Sequence, residues 1–196
     1  MIATKRFVGF LSIAITLLGA VAILLMMVHI VADGLLRTFF SSGVPGTMEF
    51  ASFYYMVAVT FLPLAYIQIA RGHVIVELFT GALPRRTNYT IDGFIGLILA
   101  AGAAYFTYAA TWKALAMTRV GEFAIGTIIL PTWPTRWFLV VGLGLLAVAA
   151  LTEAIDDLLT AFGRRSVEEA DRQRAEQAIW LDKLFGLEEI TTSEKH

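Results

Sequence analysis

Apolar residues in this chain do not recur at the period of a half-buried helix or strand; they gather in four long blocks separated by short polar stretches. Crossing a hydrocarbon core of about 30 Å takes about 20 apolar residues at 1.5 Å per residue. Residues 7–32 supply roughly 26, enough to cross with tilt, residues 50–70 roughly 21 and residues 93–112 about 20. The fourth block, residues 137–152, is short at about 16 and is expected to borrow a turn through Ala154 and Ile155. The pattern predicts an all-α integral membrane protein with four transmembrane helices.

Between blocks two and three, the run from Arg71 to Arg86 places Val74, Leu78, Gly81 and Ala82 on one helical side, with Ile75, Val76 and Phe79 widening the apolar surface. A short interfacial helix fits this run, and an extended segment stays open as the alternative. After block four, residues 166–185 mix Glu, Arg and Gln with Ala170, Ala178, Trp180, Leu181 and Leu184, and Ser166 stands three residues before Glu169 as in a capping box. A cytoplasmic C-terminal helix, fraying by Thr191, is expected. The chain thus divides into a transmembrane domain, residues 1–160, and a cytoplasmic amphipathic tail, residues 161–196.

Composition supports the bilayer reading. Hydrophobic residues make up 58% of the chain, above the roughly 45–50% of ordinary soluble domains. The first block follows Lys5 and Arg6 and contains Ala20-Val21-Ala22, features of a secretory signal. Its apolar run continues to Val28, beyond the 7–15 residues of a signal core, so it reads as an uncleaved anchor.

Charge placement gives an orientation. With the N-terminus inside, eleven basic residues fall on the cytoplasmic side: Lys5, Arg6, Arg71, Arg85, Arg86, Arg164, Arg165, Arg172, Arg174, Lys183 and Lys195. Four fall outside, Arg37, Lys113, Arg119 and Arg136. Both termini are therefore expected in the cytoplasm. Trp112, Trp133 and Trp137 stand at the expected outer ends of spans three and four, where an indole keeps its ring in lipid and its N–H in water. The net charge of −1 and scattered basic residues leave no footprint for nucleic acid.

Little in the chain suggests chemistry. Ionisable groups within a bilayer mark ion or proton pathways, but here His29 and Asp33 lie near the outer end of span one, Glu49 at the outer entry of span two and Glu153 at the inner exit of span four. His29, His73 and His196 do not make a matched pair for haem, and His29 with Asp33, four residues apart, reads as a polar cap. No cysteine, Gly-x-Ser-x-Gly elbow or phosphate-binding Gly-rich loop is present. No enzyme, metal or cofactor is expected.

Packing signals are clearer. Gly93, Gly96, Ala100, Ala104, Thr107 and Thr111 follow the spacing of one helical face, where another helix can approach closely. On span two, Glu49, Ser52, Met56, Thr60 and Pro63 share a side, and Pro63 is expected to kink the helix. These features fit a supporting subunit better than a self-sufficient small transporter, which needs polar coordination inside its bundle.

Three segments carry a family resemblance. Gly46-Thr47-Met48-Glu49-Phe50 before span two, Arg71-Gly72-His73-Val74-Ile75-Val76-Glu77 after it, and Ile129-Leu130-Pro131-Thr132-Trp133 before span four resemble the small, DctQ-type membrane subunit of tripartite ATP-independent periplasmic (TRAP) transporters. The resemblance covers about residues 5 to 160; the Arg-to-His spacing is tighter here and the tail after Arg165 is longer. It implies a multi-pass protein of the bacterial inner membrane that braces a large permease subunit, against membrane lipid. A periplasmic solute-binding protein would deliver an organic acid, and sodium coupling would reside in the large subunit. Glu49, Arg71, Gly72, His73, Glu77, Gly93, Gly96, Ala100 and Ala104 are the expected packing and structural residues.

Overall fold

A computed structural model describes residues 2–70, 84–163 and 166–185. Helix α1, Ile2–Phe40, is span one. Span two is built in pieces: α2, Thr47–Phe50, a π-helical turn Ala51–Tyr55, α3, Met56–Phe61, and α4, Leu64–Ile69. Helix α5, Arg85–Val120, is span three and α6, Trp133–Ala161, is span four. Helix α7, Val167–Phe185, follows. Four of these helical stretches, Phe7–Phe40, Thr47–Ile69, Arg86–Val120 and Trp133–Ala161, are long and apolar enough to cross a membrane. The expected interfacial helix between spans two and three lies outside the described residues.

The helices run further than their apolar blocks. Hydropathy registers the thickness of hydrocarbon, whereas a helix continues until a capping or steric signal stops it. Span three ends at Gly121, whose φ of 68° takes the left-handed conformation that closes a helix C-terminus. Span four starts three residues after Leu130 with Pro134 in its first turn, where a missing N–H costs nothing. Pro63 interrupts span two between α3 and α4, while Ile67 N–H still reaches the Pro63 carbonyl at 3.0 Å.

The link between spans three and four contains, among the described residues, the one departure from an all-helical reading. Strands β1, Phe123–Ile125, and β2, Ile129–Pro131, form an antiparallel hairpin with Phe123 opposite Pro131 and Ile125 opposite Ile129. Gly126 begins its three-residue turn, and Pro131 ends an edge strand where its lack of an N–H is tolerated.

Span four touches each of the other three spans, and its longest contact is with span three. At Gly142 a Cβ would collide with the backbone carbonyl of Phe61, so this glycine lets span four meet span two beside the Pro63 break. The buried core of Val8, Ile13, Ala65, Ile69 and Ala149 lies toward the end of the bundle that carries α7, with Trp180 packed against it. The hairpin marks the opposite end.

Candidate functional site

At the hairpin end, side chains hold backbone. Asp33 and Arg37, one helical turn apart on α1, pair at 2.8 Å, and the other Asp33 oxygen accepts the Val44 N–H at 2.7 Å. The chain thereby folds back from α1 toward span two. Gly46 takes a φ of 85° just before α2, and a Cβ there would run into Ile128. Glycine is thus required at this point both by conformation and by the nearness of the hairpin. Glu49 accepts the Thr127 N–H in the hairpin turn. Tyr54 donates its hydroxyl to the Pro131 carbonyl at 2.6 Å. The hairpin is therefore pinned to the entry of span two at its turn and at the end of β2.

The hairpin base has its own clamp. Arg136 donates from Nε and Nη2 to the two Glu122 oxygens, each at 2.5 Å, in the two-pronged geometry that suits guanidinium and carboxylate. This contact holds the Glu122 carboxyl below its usual range, against an opposing effect of burial. The Glu122 carbonyl also accepts the Thr132 N–H at 2.9 Å, and Trp137 donates to Thr118 Oγ1 at 3.2 Å.

The α7 end is fastened chiefly between side chains. Gln68 of span two donates to Glu153 of span four at 3.1 Å. Arg174 of α7 donates to Asp157 at 2.6 Å, stands 4.0 Å from Asp92 of span three, and lies 4.1 Å above the Tyr89 ring. Tyr89 in turn donates to Asp171 at 2.6 Å. Glu153, Asp156 and Asp157 are all buried. Buried carboxylates persist where hydrogen bonds and cations meet them, which gives Glu153 and Asp157 a role in joining helices. Among the described residues, no group of three His, Asp or Glu side chains could hold a metal ion.

The family model for the DctQ component of tripartite ATP-independent periplasmic transporters matches residues 26–160. The chain belongs to that family. It is a small membrane component of a TRAP transporter and a multi-pass membrane protein. Comparison with curated proteins and with solved structures gives no match.

Within this DctQ component, the expected residues fall in three places. Glu49 lies at the hairpin contact. Gly93 and Gly96 face span four of the same chain: a Cβ at Gly93 would stand 2.7 Å from Leu158 Cγ, and one at Gly96 3.1 Å from the Ala154 Cβ. Ala100 is buried on this side, but Ala104 is exposed and Ala103 takes the buried place, since a period of 3.6 residues selects either of two neighbours. Arg71, Gly72, His73 and Glu77 lie outside the described residues. Sequence reasoning missed Asp157, Arg174, Tyr89 and Asp171 as partners. Asp156-Asp157 near the end of α6 and Arg174 in the tail that follows were the available signal.

Proposed function

We propose that this chain braces the large permease subunit of a TRAP transporter during sodium-coupled uptake of an organic acid delivered by a periplasmic binding protein. The observation that carries the reading is the division of span three into two faces. Gly93, Gly96 and Ala100 are taken up by packing on span four, while Phe94, Ile98, Tyr105 and Phe106 point outward, Ile98 with 72% of its surface exposed. A bulky apolar face that its own bundle does not use suits lipid and the helices of a larger membrane partner. In this arrangement the α7 end is cytoplasmic and the hairpin end periplasmic, which agrees with the placement of basic residues and of Trp112, Trp133 and Trp137.

Reconstitution tests the assignment. Liposomes holding the large subunit, this chain, the binding protein and a sodium gradient should take up substrate, and omission of this chain should abolish most uptake. Transport by this chain alone would refute it in favour of a self-sufficient carrier. Reporters fused after Thr191 should read cytoplasm and one placed between Ser41 and Val44 should read periplasm; the reverse pattern would overturn the orientation.

A further inference from the structure

The family match ends at residue 160 and starts at residue 26, so it includes neither α7 nor the first turns of α1. These two stretches meet. A Cβ at Gly9 on α1 would lie 3.2 Å from the Trp180 ring, and the same ring packs against the core containing Val8 and Ile13. Six residues earlier, about 9 Å along the helix, Arg174 is held by Asp157 of span four and stands over Tyr89 of span three. Asp171 adds the Tyr89 hydroxyl bond.

Helix α7 has one side for these contacts. Val167, Ala170, Asp171, Gln173, Arg174 and Trp180 occupy one half of its circumference, and each is buried or half-buried. Glu168, Glu169, Arg172, Glu176 and Ile179 occupy the other half and are exposed. Span one also packs on spans two and four, with Gly19 against Leu62 and Pro63 and His29 beside Tyr55. Leu18, Leu24, Val28 and Val31 are among the many large apolar side chains it leaves exposed along its length.

We propose that α7 is a strap that ties the start of span one to the pair formed by spans three and four. Arg174, with Asp171, is its anchor and Trp180 is its grip. Cutting either contact releases the first turns of α1 from the core while spans two, three and four stay packed. This role belongs to the chain itself and does not depend on which partner or substrate the transporter uses.

The natural absence of cysteine permits a clean test in the full chain, purified with its partner subunit in lipid nanodiscs. Spin labels at Phe10→Cys and Ile179→Cys, both exposed positions, should give one narrow distance distribution. Trp180→Ala or Arg174→Ala should broaden it at least twofold, whereas Glu176→Ala on the outward side should not. In separate single-cysteine proteins, Ser12→Cys, at a position with no exposed surface, should react with a membrane-permeant maleimide at least tenfold faster once Trp180→Ala is added. Should Arg174→Ala fail to accumulate, Trp180→Ala decides alone. An unchanged distance distribution would overturn the strap. So would a broadened distribution with Ser12→Cys still protected, because α7 would then detach without freeing span one.

Discussion

The two ends of this bundle are tied by different mixtures of bond, the hairpin end adding to side-chain pairs such as the Glu122–Arg136 clamp a set of bonds to backbone. At the hairpin end, Asp33, Glu49 and Tyr54 bond to the backbone of Val44, Thr127 and Pro131. At the α7 end, Gln68 with Glu153, Tyr89 with Asp171 and Arg174 with Asp157 join side chain to side chain. A bond to backbone fixes the course of a loop whatever residue the loop carries there, but no second substitution can replace the lost partner. A bond between side chains joins two helices that are already rigid, and both ends of it can be exchanged. The hairpin end is thus a shaped loop surface, and the α7 end is a set of cross-links.

The largest effect is expected where the two ends share their support, at Gly142. Gly142→Leu would drive a side chain into the Phe61 carbonyl, which is backbone and cannot rotate aside. Overpacking of a close contact costs about 1–3 kcal/mol or more. The variant should lose most folded protein in detergent, by size-exclusion profile and thermal unfolding, and disturb both ends together. Native-like unfolding would show that spans two and four do not need this approach.

Next in size is the Arg174–Asp157 cross-link. Breaking a fully buried pair costs about 3–5 kcal/mol; Arg174 retains 32% exposure against 6% for Asp157, so about 1–3 kcal/mol is the expected loss for Arg174→Gln. Adding Asp157→Asn should recover part of that loss, because two neutral amides can face each other without a buried charge. Strict additivity in a thermal-unfolding cycle would place the effect in something other than the pair.

Much of this architecture could be read from the chain, and the limits have physical causes. The four spans follow from apolar run length, and the interruption of span two follows from the missing N–H of Pro63. Helix ends did not follow, since Gly121 and Pro134 act beyond the hydrocarbon where hydropathy no longer varies usefully. The hairpin was hidden because its strands are three residues each, and in the sequence Ile129-Leu130-Pro131 stands out only as part of a family motif. Glu49 stood out by position, yet its partner Thr127 is 78 residues away. Gly93, Gly96 and Ala100 announced a close helix contact, but spacing on one helix cannot name the other. Arg174 entered only as one of many basic residues, because charge counting ignores where an acidic partner comes to rest.

Glu49 sharpens the contrast between the ends at a smaller scale. Glu49→Ala removes the acceptor from the Thr127 N–H, and Glu49→Gln keeps an oxygen there without its charge. Loss of one charge-assisted hydrogen bond at an exposed site has a small effect, because water competes for both partners. The alanine variant should raise proteolytic cleavage in the hairpin turn severalfold, glutamine should restore most protection, and α7-end contacts should stay intact. Equal cleavage in all three proteins would mean that Tyr54 and the Glu122 clamp suffice to hold the turn.

The smallest expected effect comes from the Glu122–Arg136 clamp and is best read through pH. Arg136 lowers the Glu122 carboxyl chiefly by hydrogen bonding in the folded state, whereas the unfolded chain leaves it near its ordinary value of about 4.3. A carboxylate depressed on folding contributes stability that is complete above the unfolded value and is lost as pH falls through the lower folded value. Both partners keep a quarter to a third of their side-chain surface exposed, 26% for Glu122 and 33% for Arg136, so the contribution should be about 1 kcal/mol or less after solvent screening. Glu122→Gln removes this titration while leaving the Glu122 carbonyl free to keep its bond to Thr132. The unfolding temperature of the unaltered protein should therefore exceed that of Glu122→Gln by a small margin at pH 7, and the margin should shrink as pH drops below about 4. Added salt at pH 7 should narrow it as well, because the pair is reached by solvent. A margin that held constant from pH 7 to pH 3 would assign the effect of the substitution to packing at the hairpin base, and the clamp would then count with the backbone bonds of its own end.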